Sequence, residues 1–320
     1  MPRQVPGGIT RVRAPAVCGA HEDTRVPTAD NRTVDLATLL VPEASDRGGY
    51  WAVEDDVPES RRWDELAAED PVHAAISAGS EAREAAKSEG QVDLLERELV
   101  DGVVLDAGCG YGRIAKYLLP RRAFEGYVGV DGSTTMLDAF ARRHRQVPEE
   151  AATPLLLIRA PIDRVPIRSD SVQNIVFSAV LLHNPKHGAR RAIAEAARLL
   201  VPGGRLLIVG GDLRNARTPA GALGSVYLGW LRLRRDADRN GPVRYWKRKE
   251  VAALFPDFSD VWIRPTGFEF LPRGIPGASK RVDRVYRRGV HNPVQWVADR
   301  AIPGAWKRRL CDRWLVRAVK

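Results

Sequence analysis

The feature that most constrains the fold is an apolar run that ends in an acid and three alternating glycines. Residues Val103–Ala107 are apolar apart from Asp106, and Gly108, Gly110 and Gly112 follow. Glycine permits the left-handed torsions of a tight turn and keeps side chains away from a ligand. A strand that ends in such a turn before a helix exposes backbone at the carboxyl edge of a sheet, where open α/β sheets bind ligands. The segment therefore predicts a nucleotide-like cofactor site.

The spacing of the glycines argues against two common nucleotide sites. A dinucleotide site has the pattern Gly-x-Gly-x-x-Gly, but the residue three positions after Gly110 is Arg113. A phosphate-binding P-loop requires Gly-Lys followed by Ser or Thr, which this segment lacks. Because an ordinary strand–helix turn also fits the glycines alone, the interpretation depends on the segments downstream.

A second apolar segment, Gly126–Asp131, also ends in an acid, and a Ser/Thr-rich helix start follows at Ser133. An acid at the end of the second strand, roughly 20 residues beyond the glycines, suits two hydrogen bonds to a ribose diol. The alternative is that Asp131 only caps the helix that begins near Ser133.

Three further apolar segments continue the alternation of strands and helices. Residues 155–158 and 173–178 predict the third and fourth strands. A Pro-Gly-Gly turn at 202–204 leads from a helix into a fifth strand that ends at Val209. Short apolar strands that alternate with helices indicate a parallel sheet covered on both faces.

Four motifs, at residues 106–112, 130–133, 165–172 and 200–204, follow one another along roughly residues 90–210. In sequence and spacing they resemble class I S-adenosylmethionine-dependent methyltransferases. The similarity is greatest to the type-11 group, which includes the ubiquinone and menaquinone biosynthesis enzymes. The resemblance implies a Rossmann-like α/β fold, with a mostly parallel seven-stranded sheet, helices on both faces and a reversed C-terminal hairpin.

The resemblance also implies that S-adenosylmethionine is the cofactor. Asp106 and the loop 108–112 would hold its methionine part, and Asp131 would bind both ribose hydroxyls. Met136 would pack against the adenine, which residues 160–163 would border. The expected cofactor-binding residues are Asp106, Gly108, Cys109, Gly110, Gly112, Asp131, Gly132, Met136, Pro161, Ile162, Asp163 and Ser178.

Two positions depart from the family pattern. Pro161 stands where the family often has an acid that accepts a hydrogen bond from the adenine amino group, and a proline side chain cannot do this. Asp163, two residues further on, is the proposed replacement. Gln173 stands at a structural position where the family usually has aspartate.

A sulfonium methyl is already activated, so methyl transfer depends mainly on holding the acceptor in line with it. A hydroxyl acceptor must also lose a proton, and histidine is the usual base near neutral pH. His183 follows the predicted fourth strand, at a place where the family often has a histidine. It is the predicted catalytic base; the alternative is that His183 or His187 only caps the following helix.

The cysteines give no sign of a metal site or a disulfide framework. Cys18, Cys109 and Cys311 are far apart and form no Cys-x-x-Cys pair, so no metal is predicted. Three cysteines suit a reducing compartment. The first residues lack an apolar signal-peptide core, and no run reaches the ~20 apolar residues of a spanning helix. A cytoplasmic location is therefore expected.

The remaining sequence predicts additions to a single nucleotide-binding domain. Residues 1–59 lack periodicity and are expected to form a partly disordered arm. The methyltransferase-like domain is expected over 60–286. Its first part, 60–100, is expected to be helical and to form either a lid or plain packing elements. An acceptor-binding insertion is expected at about 211–242. Residues 287–320 would form a basic amphipathic extension. The expected closing elements are a helix at 245–255 and strands at 259–264 and 281–286.

Charge is distributed unevenly around a net charge of +10. Residues 43–101 contain 17 acids and 6 bases, whereas residues 287–320 contain 9 bases and 2 acids. Residues 305–320 are predicted as an amphipathic helix that docks on the sheet, lies peripherally at an anionic inner membrane surface or binds nucleic acid. Its apolar face consists of Trp306, Leu310, Trp314 and Ala318.

Three classes of function follow from these patterns. The first is a methyltransferase for a small-molecule or lipid-like acceptor, since the apolar, glycine-spaced segment 220–233 favours a partly hydrophobic acceptor. The second is a nucleic-acid methyltransferase, favoured by the pI of about 9.8 and the basic C-terminal residues. Against this second class, the sequence has no Asn/Asp-Pro-Pro-Tyr motif, which would bind the amine of a flipped base. The third is a non-catalytic cofactor-binding protein, which the altered adenine segment leaves open. The sequence leaves the oligomeric state undetermined.

Overall fold

The strand that leads into the glycine loop lies in the middle of a mixed sheet, to which the described residues contribute ten strands. The computed structural model describes residues 34–54, 57–72, 81–145, 153–183, 186–217, 245–268, 297, 301–302 and 304–320. The strands are β1 (Ser45–Asp46), β2 (Trp51–Ala52), β3 (Val103–Ala107), β4 (Gly126–Asp131), β5 (Leu155–Arg159), β6 (Val172–Ser178), β7 (Leu200–Asn215), β8 (Tyr245–Trp246), β9 (Asp260–Phe268) and β10 (Cys311–Val319). The helices are α1 (Arg61–Glu69), α2 (Glu81–Glu98), α3 (Arg113–Leu118), α4 (Thr134–His144), α5 (Lys186–Leu199), α6 (Arg248–Ala252) and α7 (Gly304–Leu310).

The strand order is β1-β2-β5-β4-β3-β6-β7-β10-β9, and β8 pairs with the far end of β7. From β2 to β7 in this order, each strand pairs in parallel with the next, whereas β1 is antiparallel to β2 and β10 is antiparallel to both β7 and β9. The predicted Rossmann-like class I methyltransferase fold, mostly parallel with a reversed C-terminal strand pair, is therefore confirmed. The short strands β1, β2 and β8 were not predicted, and β10 lies in a segment that was predicted as a helix.

Alternate residues of the central strands lie in hydrophobic cores on opposite faces of the sheet. Leu105 and Ile175 belong to the core on one face, and Val104 and Val176 belong to the core on the other. Because both faces are covered, such strands are continuous apolar runs in the sequence. The parallel strands all end at one edge, and this edge collects Asp106, Asp131 and the residues that follow β5 and β6.

The prediction of an amphipathic helix over residues 305–320 is wrong for its second half. Helix α7 ends at Leu310, and Cys311–Val319 form β10, which is inserted between β7 and β9. The predicted extension 287–320 is thus partly a strand of the sheet. Of the two predicted closing strands, 281–286 lies outside the described residues.

The spacing of the apolar residues explains this error. Positions 306, 310, 314 and 318 are four residues apart, which fits one face of a helix but equally fits one face of a strand, where every second residue shares a side. Trp314 and Ala318 lie in one core together with Val316, and the intervening Leu315 lies in the other. Burial on both faces is therefore what makes this segment a strand. None of the helices in the described ranges is both long and apolar enough to cross a membrane.

The two other predicted additions are described only in part. In the predicted N-terminal arm, Leu36, Leu40 and Ala52 are buried in contact with the domain, and β2 pairs with β5. Residues 34–52 of the arm are therefore part of the folded domain. The insertion predicted at 211–242 begins inside β7, and residues 218–244 lie outside the described part of the chain.

Replacing Trp314 by alanine is expected to lower the free energy of unfolding by about 3–5 kcal/mol. The indole is 2% exposed, and its Nε1 donates a hydrogen bond to the carbonyl oxygen of Trp246 at 3.2 Å. The matched control is Trp306→Ala on α7, where the side chain is 58% exposed and the loss should stay within about 0.5 kcal/mol. Urea denaturation measures both variants. Equal losses would contradict the burial of Trp314 in the sheet.

Candidate functional site

The glycine loop folds back from β3 onto the end of β4. Gly108, Gly110 and Gly112 have φ values of 77°, 53° and 78°, in the left-handed region that favours glycine. The N–H groups of Gly108 and Cys109 both donate to the carbonyl oxygen of Val130, at 2.7 and 3.0 Å. The loop is therefore fixed to β4 by its own backbone.

The three glycines serve two different purposes. A Cβ atom on Gly108 would lie 2.4 Å from Cγ2 of Val180, and one on Gly112 would lie 2.4 Å from Cδ2 of Phe140. Among the described residues, a Cβ atom on Gly110 would meet only Sδ of Met136, at 3.9 Å. Packing therefore requires glycine at 108 and 112, whereas the backbone of Gly110 faces open space that a ligand can occupy.

Asp106 at the end of β3 has one carboxylate oxygen without a partner. The residue is 1% exposed, and its Oδ2 accepts a hydrogen bond from the Tyr127 hydroxyl at 2.8 Å. Its Oδ1 is buried and has no hydrogen-bond partner among the described residues. Burial raises the pKa of Asp106 to about 6, while the Tyr127 hydroxyl and the Arg113 charge lower it. An unpaired buried carboxylate oxygen is suited to a cationic donor from a ligand.

Asp131 at the end of β4 connects the glycine loop to helix α4. Its Oδ2 accepts from the Gly110 N–H and its Oδ1 accepts from the Ser133 N–H, both at 2.9 Å. Burial raises the pKa of Asp131, and the hydrogen bonds from these backbone donors partly offset that rise. The helix cap is Ser133, whose Oγ accepts from the Met136 N–H at 3.2 Å. The Gly132 backbone also donates to this carboxylate, so at least one of its roughly four lone-pair sites stays open to a diol hydroxyl.

Helix α1 covers this part of the sheet edge. Oδ1 of Asp64 accepts from the Ser133 hydroxyl at 2.6 Å and from the Thr135 N–H at 3.1 Å. Ala67 packs with Tyr111 of the glycine loop and with Met136, which is 3% exposed. The chain also passes close to Gly132, where a Cβ atom would lie 2.8 Å from that of Ser60.

The segment after β5 lines a cavity of about 420 Å³. The Ala160 N–H donates to the carbonyl oxygen of Asp131 at 3.1 Å, so the segment lies beside the end of β4. Pro161 lines the cavity together with Val57 and other residues of the N-terminal segment. Oδ2 of Asp163 accepts from Nε of Arg191 on α5 at 2.6 Å, so this oxygen already has a partner within the fold.

Ser178 takes part in a polar cluster that the sequence patterns did not reveal. Its Oγ accepts from Nη2 of Arg113 at 2.7 Å and donates to Oε1 of Gln91 at 2.9 Å. Arg113 also donates to Oγ of Ser88 at 3.1 Å. The cluster therefore joins helix α2 to the start of α3 and to the end of β6. The only sequence signal was a charged residue directly after the third glycine.

His183 ends a 3-10 turn, Leu181–His183, that begins three residues after β6. The turn lies at the same sheet edge as Asp106, because β3 and β6 are parallel. The backbone of His183 is described, whereas its side chain and the side chain of His187 are not. The role of His183 as a base stays a prediction.

A buried acid, Asp212 on β7, was also missed. Its carboxylate accepts hydrogen bonds from consecutive backbone N–H groups that begin at Ala179, directly after Ser178. Burial raises its pKa to about 7, and the backbone donors lower it. An isolated acid in a strand gives no local pattern, so no sequence signal marked it.

Part of this chain is similar in sequence to known proteins. Residues 105–208 match the family model described as a methyltransferase domain. An uncharacterized chloroplastic methyltransferase of Arabidopsis thaliana is 29% identical over 109 residues, which cover 34% of this chain and 30% of that protein. The match thus spans less than a third of the length of this curated relative.

Solved structures give weaker likenesses. The YcgJ protein from Bacillus subtilis has a TM-score of 0.45 and 18% identity, over 72% of this chain and 98% of that one. Geranyl diphosphate C-methyltransferase from Streptomyces coelicolor has a TM-score of 0.47 and 16% identity, over 72% of this chain and 75% of that one. Both scores lie below 0.5, and at that level neither likeness bears on the function of this chain. Residues 105–208, from β3 to β7, are therefore similar in sequence to a methyltransferase domain.

Proposed function

We propose that this chain is an S-adenosylmethionine-dependent methyltransferase that acts on a small-molecule or lipid-like acceptor. The observation that carries the proposal is the buried, unpartnered Oδ1 of Asp106 beside a glycine loop that is open at Gly110. The match of residues 105–208 to a methyltransferase domain supports it. The motif resemblance is to the ubiquinone and menaquinone biosynthesis group, and we propose that this chain is related to that group.

The residues present fit the cofactor. Asp106 would accept from its ammonium group, which gives the unpaired carboxylate oxygen a charge-assisted partner. Asp131 would accept from both ribose hydroxyls, and the open backbone at Gly110 would allow the ligand to approach between the two acids. When bound, the cofactor supplies a methyl group that is activated by a sulfonium centre. The adenine would lie toward Met136 and residues 160–163.

Pro161 has no side-chain acceptor for the adenine amino group, so another group must replace the usual acid. Asp163 remains our proposed replacement through Oδ1, because Oδ2 already accepts from Arg191. Gly132 would border the ribose, and Ile162, half-buried, would border the ring.

The contribution of the protein to catalysis is mainly positional. Holding an acceptor atom in line with the methyl carbon removes roughly 7–11 kcal/mol of barrier in well-oriented systems. Helix α1 and the segment after β6 would exclude water from this edge of the sheet. For a hydroxyl acceptor, we propose that His183 takes the proton.

A nucleic-acid acceptor is less well supported by the described residues. The basic residues at the end of β10 form ion pairs within the fold. Nη1 of Arg317 lies 3.2 Å from Oε2 of Glu98, and Nζ of Lys320 lies 2.6 Å from Oδ1 of Asp170. Bases that are paired in this way have fewer free donors for phosphates.

Replacing Tyr127 by phenylalanine is expected to weaken the binding of S-adenosylhomocysteine about tenfold. The Tyr127 hydroxyl lowers the pKa of Asp106, so its loss raises that pKa above about 6 and leaves Oδ2 without its donor. Isothermal titration calorimetry at pH 7 measures the change. Tyr117→Phe, on the half-buried ring of α3, is the matched control and should bind normally. Unchanged affinity in Tyr127→Phe would remove the link between this hydroxyl and the ligand.

The proposed activity is tested by incubating the protein with methyl-labelled S-adenosylmethionine and cell extract. Lipids, small molecules, RNA and protein are then separated and counted. We expect label in the lipid or small-molecule fraction, and no transfer by Asp106→Asn. Label in RNA would favour the nucleic-acid alternative, and calorimetric binding without transfer would favour a non-catalytic role. Absence of both binding and transfer would refute the proposal.

A further inference from the structure

The buried acid Asp212 holds the backbone that follows β6. The residue is fully buried in β7. Its Oδ2 accepts from the Ala179 N–H at 2.7 Å, and its Oδ1 accepts from the N–H groups of Val180 and Leu181, the latter at 2.5 Å. The Leu182 N–H also donates to this carboxylate. One side chain thus organises four consecutive amides.

The segment that Asp212 holds has a backbone conformation that needs support. Ala179 has φ 68°, in the left-handed region that L residues with a Cβ atom seldom adopt. Such a conformation persists only where the surroundings enforce it. Two groups enforce it here. The Asp212 carboxylate accepts from the Ala179 N–H, and the preceding residue, Ser178, is held by hydrogen bonds with Arg113 and Gln91.

The same segment forms a wall of the glycine loop. The side chain of Val180 lies so close to Gly108 that a Cβ atom there would come within 2.4 Å of Cγ2. Gly108 follows β3 two residues after Asp106. A displacement of Val180 would therefore change the shape of the loop beside the proposed cofactor cleft. Further along, the segment continues into the turn that ends at His183.

We propose that Asp212 is a positioning residue that fixes segment 179–182 and, through Val180, the glycine loop. This inference rests on the proposed function, because it assigns Asp212 a part in shaping the cofactor cleft. Asp212 acts through the segment that it holds. Loss of its carboxylate frees some of the four amides, relaxes Ala179 and loosens the contact between Val180 and Gly108.

Asparagine at this position tests the role of the carboxylate at nearly constant volume. Asp212→Asn keeps one acceptor oxygen but turns an NH₂ group toward N–H donors, and Asp212→Ala removes every acceptor. We expect the affinity for S-adenosylhomocysteine to fall about tenfold in Asp212→Asn and further in Asp212→Ala. Hydrogen exchange, read by mass spectrometry, should accelerate over residues 179–182 in both variants.

The matched control is Asn174→Ala in the neighbouring strand β6. Asn174 is also fully buried, and its side chain both donates to and accepts from the backbone of Val100 at 2.8 Å. This pair lies toward the other end of the strand, away from the glycine loop. We expect Asn174→Ala to lower the Tm in the same way as Asp212→Asn, yet to keep the affinity for S-adenosylhomocysteine within about twofold of wild type.

Val180→Ala gives a second test if the Asp212 variants fail to fold. It retains the carboxylate and its amide donors but removes the two γ-methyl groups that lie nearest to Gly108. We expect weaker binding of S-adenosylhomocysteine with unchanged exchange at residues 179–182. Wild-type affinity in Val180→Ala, or an equal loss of affinity in Asn174→Ala and Asp212→Asn, would overturn the inference. If the wild-type protein does not bind S-adenosylhomocysteine, the proposed function fails, whereas the exchange data still decide whether Asp212 holds the segment.

Discussion

Asp106→Asn is expected to weaken the binding of S-adenosylhomocysteine about 100-fold, the size of a lost charge-assisted hydrogen bond in a buried site. The amide retains the shape of the side chain and an acceptor for Tyr127, but it has no charge to pair with the ammonium group. Calorimetry on purified protein measures the effect. Asp93→Asn, which removes an exposed carboxylate paired with Arg121, is the control and should bind normally.

The same substitution should leave the unliganded protein at least as stable at pH 7. Burial raises the pKa of Asp106 from 3.8 to about 6, so the folded state holds the proton more tightly than the unfolded state does. The stability of the wild type therefore decreases as the pH rises from about 4 to about 6, by up to about 3 kcal/mol from this group. Asp106→Asn removes that decrease. Lower stability of the variant at pH 7 would contradict this electrostatic account.

The affinity of the wild type for S-adenosylhomocysteine should also depend on pH in a defined direction. In the proposed function the carboxylate form of Asp106 would bind the ammonium group, so affinity should fall as the pH decreases through about 6. Asp106→Asn should lack this dependence between pH 5 and 7. A wild-type affinity that is constant over this range would exclude Asp106 as the group that pairs with the ammonium.

Gly112→Ala and Gly110→Ala are expected to fail in different ways. At Gly112, φ is 78° and a Cβ atom would lie 2.4 Å from Cδ2 of Phe140, so backbone strain and overpacking act together. We expect a loss of about 2–4 kcal/mol in the free energy of unfolding. At Gly110 the added atom meets only Met136 Sδ, at 3.9 Å, within the described part of the chain, so the loss should be about 1 kcal/mol from backbone strain alone.

For the binding of S-adenosylhomocysteine, we expect the larger loss in Gly110→Ala, the variant with the smaller loss of stability. The methyl group of Gly110→Ala occupies the open space beside the loop, and we expect binding of S-adenosylhomocysteine to be lost although the protein folds. Denaturation and calorimetry on the two variants separate these effects. If Gly110→Ala binds normally, the ligand does not approach the loop at this residue.

The central strands and the glycine loop could be predicted from the sequence because their causes are local. Strands β3 to β6, buried on both faces, appear as largely apolar runs, and the alternating glycines mark a backbone that requires left-handed torsions. The order of these strands in a parallel sheet then brings Asp106 and Asp131 to the same edge. No contact distant in the sequence is needed to expect these positions.

The arrangement around that edge was decided only by tertiary structure. The apolar residues of 311–319 fit a helix or a strand equally well, and the neighbouring strands β7 and β9 select the strand by burying both of its faces. The partners of Arg113 and Asp212 come from helix α2 and from the backbone after β6, which are 22 and 33 residues away along the chain. A hydrogen bond between such distant positions leaves no local pattern in the sequence, because each polar residue is satisfied only when the fold brings its partner to it.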